Sequence, residues 1–500
     1  MLKLSIRDIK NGYAGIKEKA KAAAMAGCYE ESLSYIQHCV ILAQQFNWIY
    51  SDNDLEFLVE QISSKCVKPC NYIPQNKRVV FFDDFCRSFV LAIQYLDALK
   101  FAGYEVLYVS TKQNDLLGRG LIYDKLTKYD NVTIYKASSS TNLDVILEIR
   151  EQINHFCPSK ILLHCYAYST IIPVLYSLPK ETKSYYINLA DQTFWLGSQA
   201  IDYVLEFRQF GVSVSQQRRG ICPEQQLLIP FYPIVDNNPF LGFPKECTEE
   251  GKVLIFSGCD MYKVLDEKRM FWHLIKRILD TFPEVVFFFA TKSDEIGMSI
   301  LQDFIHTNHF EGRFIHTKFR PDINEILAHV DIYMGSCPAS GSLMSQLAAR
   351  NATPILQYYY PGTPDDETEQ AICINEQFQI SFQDEEAFML EAERLIHDVS
   401  YRHAQGKRLQ NAMMDIDYFN QLVEKTLLQN KTQVPLKPYE INYALLDARW
   451  YALEKQGYIH SIHYIYSLLG KKDCIRFAPS IFVKKQINTI LTKIQDYESI

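Results

Sequence analysis

Two doubly wound α/β domains, each on a parallel sheet and joined by a proline-rich hinge, are what this sequence predicts. Three observations carry that expectation. Short continuous apolar runs alternate with amphipathic helical stretches from residue 78 onward. The alternation stops over residues 230–244, where four prolines, two asparagines and a glycine crowd together, and it restarts at residue 252. Continuous apolar runs, unlike strict in–out alternation, belong to strands buried on both faces, as in a parallel sheet covered by helices. The expected organisation is a helical region over 1–70, a first α/β domain over 77–235, a second over 245–390 and a helical extension over 391–500.

The first seventy residues read as helices, with Leu33, Ile36, Val40 and Ala43 at helical spacing and Gly27 where a helix–helix turn falls. The turn from Ala26 to Glu30 resembles one tetratricopeptide unit. A lone repeat cannot form a solenoid, so a helical hairpin packed on the main body is expected, followed by a linker over 69–77. In the first α/β domain, strands are expected over 78–82, 105–109, 132–135, 160–164, 185–188 and 203–207, with helices over 89–101 and 142–155. In the second, strands over 252–256, 284–290, 313–316, 331–334 and 353–357 alternate with helices over 267–282, 302–308, 322–329 and 341–350. Residues beyond 386 read as mostly helical, with a break at 433–438.

Composition bounds the function. With 500 residues, 48 % hydrophobic and 22 % charged, the chain is globular and long enough for several cores. A net charge of −8 argues against a general nucleic-acid binder, which needs a basic face. No apolar run reaches the ~18 residues of a membrane span, and residues 1–10 lack the apolar core of a signal peptide. Thirteen cysteines, an odd number without a C-x-x-C pair, lie in core segments such as those of Cys165 and Cys373, which suits reduced thiols. A soluble, cytoplasmic protein is expected.

Two such domains place the carboxyl ends of their sheets around one cleft, where ligands of open α/β sheets bind. The segment over 331–349 is the most informative. A strand ends, a loop of small residues runs over 335–341, and a helix begins near Ser342. Small residues admit a ligand close to the backbone, and a helix N-terminus offers N–H groups and a positive dipole end to a diphosphate. Ser340 or Ser342 serves equally well as a plain N-cap.

Residues 325–334, this loop, and Ser345-Gln-Leu-Ala-Ala349 followed by Thr353-Pro-Ile-Leu356 resemble the nucleotide-sugar half of GT-B glycosyltransferases, in their group-1 and O-GlcNAc-transferase-like branches. The resemblance covers 252–357 closely and 78–235 more loosely. It implies two Rossmann-like domains facing a cleft, with a nucleoside diphosphate sugar, UDP favoured, held by Gly258, Lys263, Lys318, Phe319, Ser340, Gly341, Ser342 and Ser345. Lys263 would aim its charge at the diphosphate, while Lys318 hydrogen-bonds and Phe319 stacks on the base. A solvated lysine and a core phenylalanine are the structural alternatives at 263 and 319. Ser345 stands where these enzymes usually carry an acidic residue on the donor ribose, and a hydroxyl bonds a ribose more weakly than a carboxylate.

In the first domain, Asn188-Leu-Ala-Asp-Gln-Thr-Phe-Trp-Leu-Gly197 is followed by Asp202, Phe207-Arg208, Gly211, Ser215 and Arg218-Arg219-Gly220. This resembles an N-H-A-D-x-x-F-W-x-G pattern of some bacterial glycosyltransferases. By that resemblance Asp191 is the general base toward an acceptor hydroxyl, and Arg87, Trp195 and Arg208 meet the acceptor. Asp191 as a helix cap and Trp195 as a core residue are the structural alternatives. Leu189 stands where the pattern has His, which removes the more conventional base.

No phosphate loop, G-x-G-x-x-G turn, H-E-x-x-H or His/Cys cluster is present. Asp83-Asp84 lacks the companion positions of a response regulator, and Asp365-Asp366-Glu367 reads as a solvated loop. Neither a metal nor another cofactor is expected. The expected function is sugar transfer from a nucleoside diphosphate sugar to a hydroxyl of a carbohydrate, lipid-linked or protein acceptor, in bacterial glycan or glycoprotein synthesis. Leu189 and Ser345 motivate an alternative, a non-transferring relative that binds a glycan or a partner enzyme; a nucleotide-sugar epimerase is a third reading. Residues 447–500 carry eight Lys/Arg against five Asp/Glu. Because Pro479 interrupts them, a solvated helical cap with at most weak, salt-sensitive membrane association is expected.

Overall fold

The computed structural model describes residues 4–84, 89–111, 121–165, 167–235, 238–291, 295–318, 320–362, 367–372, 378–452 and 457–498. Three helices come first: α1 (Ile6–Met25), α2 (Tyr29–Phe46) and α3 (Asn53–Cys66). The first sheet domain runs β1 (Gln75–Asp83), α4 (Phe89–Phe101), β2 (Glu105–Ser110), α5 (Leu121–Leu126), β3 (Val132–Lys136), α6 (Asn142–Phe156) and β4 (Pro158–His164). It continues through α7 (Ile172–Leu175), β5 (Lys183–Ile187), β6 (Tyr203–Glu206), α8 (Gln209–Arg219) and β7 (Gln226–Leu228). After the irregular hinge, the second domain runs β8 (Val253–Gly258), α9 (Met270–Thr281), β9 (Val285–Ala290), α10 (Glu295–Thr307), β10 (Phe314–Thr317) and α11 (Ile323–His329). It ends with β11 (Ile332–Met334), α12 (Ser342–Arg350), β12 (Ile355–Tyr358), α13 (Glu367–Ile372) and β13 (Ser381–Phe382). Six helices follow: α14 (Glu385–His397), α15 (Val399–Ala412), α16 (Ile416–Gln429), α17 (Tyr443–Ala452), α18 (Gly457–Phe477) and α19 (Pro479–Glu498).

Both sheets are parallel throughout, in the orders β3-β2-β1-β4-β5-β6-β7 and β10-β9-β8-β11-β12-β13. The central strands are buried on both faces: Val79, Val80, Phe81 and Phe82 in one sheet and Phe287, Phe288 and Phe289 in the other have no exposed surface. That is the two-domain α/β architecture the apolar runs predict. Strands β7 and β13 are too short to stand out as apolar runs. Helix α8 escapes sequence reading because its buried side includes Gly211, Ser213 and Ser215, so it has no apolar period.

The C-terminal helices go to four different places, α17 packing Tyr443 and Leu446 with Tyr50, Phe210 and Val214. Helices α14 and α15 cover the second sheet, where Phe388, Ala392 and Leu395 join its core and Arg402 pairs with Asp331 at 2.9 Å. Helix α16 crosses back onto α4, packing Phe419 against Tyr95 with ring centroids 5.5 Å apart. The last two helices lie against α1, so the two ends of the chain share one core with the first sheet. Pro479 interrupts this tail as expected, with α18 ending at Phe477 and α19 opening at Pro479, where its missing N–H costs nothing; helical stretches continue on both sides of the break. Ser5 and Asp8 cap α1 reciprocally, and Asp8 also accepts from Lys484 Nζ at 2.6 Å. Among the described residues no helix is long and apolar enough to cross a membrane.

The crossing of α1 and α18 is close. A Cβ added at Gly12 would lie 2.6 Å from Ile465 Cγ2, and one at Gly15 would lie 2.9 Å from Phe477 Cβ. Gly12→Val should therefore cost about 1–3 kcal/mol by overpacking and loosen α1 and α18 selectively. Hydrogen exchange should rise in those helices while the second sheet keeps its protection; unchanged exchange across both would show that the contact yields freely.

Candidate functional site

In the second domain the strand order reverses between β8 and β11, the place where open α/β sheets bind ligands. The loops leaving these two strands meet there. The Ala339 N–H donates to the carbonyl of Lys263 at 3.2 Å, tying the single 3-10 turn Met261–Lys263 to the loop over 335–341. Within the loop, Ser336 Oγ donates to the Ala339 carbonyl at 2.7 Å, and Gln357 Nε2 donates to the Ser336 carbonyl at 3.0 Å. A Cβ at Gly335 would stand 1.7 Å from Gln357 Oε1, so glycine there is a packing requirement. Gly341 is different. Its φ of −124° suits any residue, and an added Cβ would meet only Lys263 Nζ at 3.6 Å and Met344 Cβ at 3.9 Å. Neither backbone nor core demands glycine at 341. Its absent side chain leaves space between the Lys263 ammonium and the first turn of α12, which no side chain caps.

The carboxyl ends of β8, β9 and β10 add three polar atoms. Ser257 Oγ, Thr291 Oγ1 and His316 Nε2 are buried and have no hydrogen-bond partner among the described residues. Strand register aligns them: Ser257 pairs with Phe289, which pairs with His316, and Thr291 follows the end of β9. An orphaned buried polar group costs about 1–3 kcal/mol, and these three stand together at the carboxyl ends of adjacent strands. Burial and the charge of Lys318 hold the His316 imidazole below its ordinary pKa. Lys318 itself is exposed, and Ser340 and Ser342 are half-exposed beside Gly341. Gly258 closes against the Phe256 ring and Met344 Cε, which a Cβ would approach to 3.0 and 3.4 Å. Ser345 is wholly buried, with its Oγ 3.4 Å from the Gly341 carbonyl, so its hydroxyl bonds its own helix. Phe319 and Arg87 lie outside the described residues.

In the first domain, residues 188–220 fold into a buried polar network. Both carboxylate oxygens of Asp191 accept from Arg208, Nε at 2.6 Å and Nη2 at 2.8 Å, and neither residue is open to solvent. Burial works against the Arg208 charge, but Asp191 and Glu367 outweigh it and raise its pKa. Arg219 Nη2 donates to the carbonyls of Asp191 (2.7 Å) and Thr193 (2.6 Å). Glu206 accepts from Ser215 Oγ at 2.5 Å and Asn188 Nδ2 at 2.8 Å. Gly211 lets α8 come this close, since a Cβ there would lie 2.5 Å from Glu206 Oε2. From the other side Glu56 of α3 accepts the N–H groups of Gly197 (2.8 Å) and Ser198 (3.0 Å). Trp195 is 1 % exposed and stacks on Tyr186 at 4.2 Å, so its ring fills core where the sequence suggested a sugar platform. Asp191 is likewise an anchor for Arg208, with no carboxylate oxygen left open to a hydroxyl, and it caps no helix. Leu189, Ala190, Gln192 and Thr193 are half-exposed positions of this stretch.

The two domains meet at these carboxyl edges. Arg208, just before α8, donates Nη1 to the carbonyl of Glu367, the first residue of α13, at 3.0 Å. The Phe210 N–H donates to Gln370 Oε1 at 2.8 Å, and Gln346 Nε2 donates to the carbonyls of Phe231 (3.0 Å) and Ala371 (2.7 Å). Helix α8 follows β6 and α13 follows β12, so both carboxyl edges close on one cleft. Glu367, expected in a solvated loop, is 3 % exposed in this contact; Asp365 and Asp366 lie outside the described residues. An O-GlcNAc transferase variant from Thermobaculum terrenum has the same arrangement at 14 % identity, over 84 % of this chain and 84 % of that one, with a TM-score of 0.50. The fold is GT-B. Anabaena HepE in complex with UDP matches at 12 % identity, over 70 % of this chain and 100 % of its own, with a TM-score of 0.50. A Neisseria meningitidis UDP-GlcNAc 2-epimerase bound to UDP-GlcNAc matches at 10 % identity, over 71 % of this chain and 100 % of its own, with a TM-score of 0.47. At these identities the likeness is one of fold alone. No family model matches the chain, and no curated protein does.

The first half of this GT-B cleft holds groups that sequence reasoning passed over. Its strand-order reversal lies between β1 and β4, whose ends carry Asp83 and His164, with Asp83 Oδ1 2.9 Å from His164 Nδ1. The Tyr108 hydroxyl also donates to Asp83. Asp84 accepts from Thr111 (3.0 Å) and Ser169 (2.5 Å), and burial lifts its carboxyl to about 7 despite those bonds. The available signal was positional: two neighbouring strands of the sheet both end in titratable residues.

Gly341→Val should fold normally and lose nucleotide binding, because the side chain enters the space beside Lys263. Gly335→Val should lose about 1–3 kcal/mol of stability by overpacking. Melting curves with and without nucleotide separate the two, and a Gly341→Val protein that binds normally would remove the loop from the site. A second prediction concerns pH. Burial lifts the Glu206 carboxyl to about 7, against the pull of Ser215, Arg219 and Asn188. The unfolded chain loses this proton near pH 4.3, so the folded state binds it more tightly. The contribution of this group is complete below that value and declines as pH rises through about 7. Glu206→Gln should flatten that slope in a Tm–pH profile; identical slopes would mean the group is ionised in the fold throughout.

Proposed function

We propose that this chain is a glycosyltransferase that moves a sugar from a nucleoside diphosphate sugar to a hydroxyl acceptor, with a UDP-sugar as the favoured donor. One observation carries the reading. The Lys263 ammonium, the open side of Gly341 and the uncapped first turn of α12 converge at the strand-order reversal of the second sheet. A diphosphate placed there meets a cation and a helix N-terminus together. Ser257, Thr291 and His316 supply partners for the nucleoside along the same edge. The complex of HepE with UDP, on the same fold, supports uridine as the base.

As the bond from the sugar to the diphosphate breaks, negative charge grows on the departing phosphate oxygen. Lys263 and the α12 dipole are fixed in advance where that charge develops, the arrangement that stabilises a transition state most. On the acceptor side, the Asp191–Arg208 pair holds the loop over 188–199 in place and joins it to α13.

A second reading has its own observation. The Asp191–Arg208 pair is closed to solvent, and the half-exposed Leu189 has no proton-accepting atom where the resembled pattern has His. A chain of that kind binds nucleotide sugar and presents it, or itself, to a partner without transferring it.

Thermal shift against UDP and uridine tests the donor site, since a ligand at 100 times its Kd stabilises by about 2.7 kcal/mol. Lys263→Ala should weaken UDP by roughly ten- to hundredfold, the worth of a charged hydrogen bond, and leave uridine unchanged. Equal losses for both ligands would make Lys263 structural. Slow release of free nucleotide from UDP-sugars marks an enzyme, and tight binding without turnover marks the partner role. Leu189→His should raise turnover if the loop presents that position to the acceptor; no change would show that this position does not control transfer.

A further inference from the structure

We propose that the outer face of α19, with the last turns of α18, docks on an anionic lipid surface. Helix α19 faces the body of the protein through Ile481, Asn488 and the Lys484–Asp8 pair at 2.6 Å. On its other side Val483, Ile487, Ile490 and Leu491 are 52, 38, 57 and 37 % exposed. Their spacing places them along one stripe of the helix. The stripe is continuous because Pro479 opens α19. Ile475 of α18 is a further apolar side chain in solvent, 48 % exposed.

Charge identifies what covers this face. Between Gly470 and Leu491 the only acidic residue is Asp473, and it turns toward Lys19, 3.8 Å away. Lys471, Lys472 and Arg476 are exposed. Within a protein of net charge −8, residues 471–491 thus combine exposed cations and exposed aliphatic side chains with a single acidic residue. A second copy of the chain fits poorly. Two such faces would bring like charges together, and a strip roughly 12 Å long, at 1.5 Å per residue, is narrow against the ~800 Å² per partner of a standard interface. A lipid leaflet has no such requirement. Aliphatic side chains enter the boundary between headgroups and acyl chains, while Lys and Arg stay with the headgroups.

This contact is independent of the reading of the cleft, and its test measures no sugar transfer. The full chain is sedimented with vesicles of phosphatidylcholine, with and without phosphatidylserine, at low and high salt. Binding should require phosphatidylserine and fall as salt rises. Lys471→Ala and Lys472→Ala should each weaken it roughly fivefold. Ile487→Asp with Ile490→Asp should abolish it while leaving Tm unchanged, since both side chains point away from the core. Absence of binding at low salt overturns the proposal, as does equal binding to neutral vesicles or full binding by the Asp double variant. A concentration-dependent dimer that this variant dissolves, with no vesicle binding, would assign the face to a second copy instead.

Discussion

The cleft depends on one buried guanidinium. Arg208 stands at the junction of β6 and α8 with two donors on Asp191 in its own domain and a third on the Glu367 carbonyl in the other. A charge this deeply buried persists only when its donors are matched. A lysine would not replace it, because a single ammonium cannot reproduce the planar fork that grips a carboxylate bidentately. Since one of the bonds crosses between domains, the charge is fully satisfied only while the carboxyl edges of the two sheets face each other. Gln346 and the Phe210 N–H add neutral bonds across the same boundary. The separation of the Lys263 side of the cleft from the loop over 188–199 follows from that arrangement.

The same logic explains why so many polar residues near Asp191 are inaccessible. Each one answers another: Asn188 and Ser215 answer Glu206, Arg219 answers the carbonyls of Asp191 and Thr193, and Glu56 answers the N–H groups at 197 and 198. Such a network rigidifies a loop when fully bonded. The N-terminal helices are part of it through Glu56 and through Asn47, which donates to the Gln192 carbonyl at 2.7 Å. They hold the loop over 188–199 from behind, in addition to sharing a core with α18 and α19.

Sequence periodicity revealed what depends on local pattern and missed what depends on long-range pairing. Residues 79–82 and 284–290 announce buried parallel strands because an unbroken apolar run has few other uses. The small-residue loop over 335–341 was legible because glycine and serine between a strand and a helix have a direct physical meaning. Asp191 and Trp195 were harder. Each has the residue type of a reactive or stacking group, and only the fold shows that Arg208, seventeen positions later, occupies both carboxylate oxygens, or that Tyr186 covers the indole. Helix α8 went unseen because Gly211, Ser213 and Ser215 alternate with Phe210, Val212 and Val214 among its buried residues, which leaves no helical apolar period. Pro479 marks a break and a start together, because the residue that cannot continue α18 is also the one best suited to begin α19.

The two strand-order reversals have opposite characters. In the first domain Asp83, Asp84, His164, Tyr108, Thr111 and Ser169 bond to one another across the ends of β1, β2 and β4. In the second, Ser257, Thr291 and His316 line the ends of β8, β9 and β10 with polar atoms that no described residue answers. Folded proteins seldom leave buried polar groups unmatched, because each lost bond is a direct loss of stability. A domain that keeps three in a row, beside a glycine required by neither backbone nor packing, is one that a bound ligand would stabilise. On the opposite side the carboxylates of Asp83, Asp84 and Asp191 already have partners, and a ligand there would be recognised by the shape of the loop over 188–199.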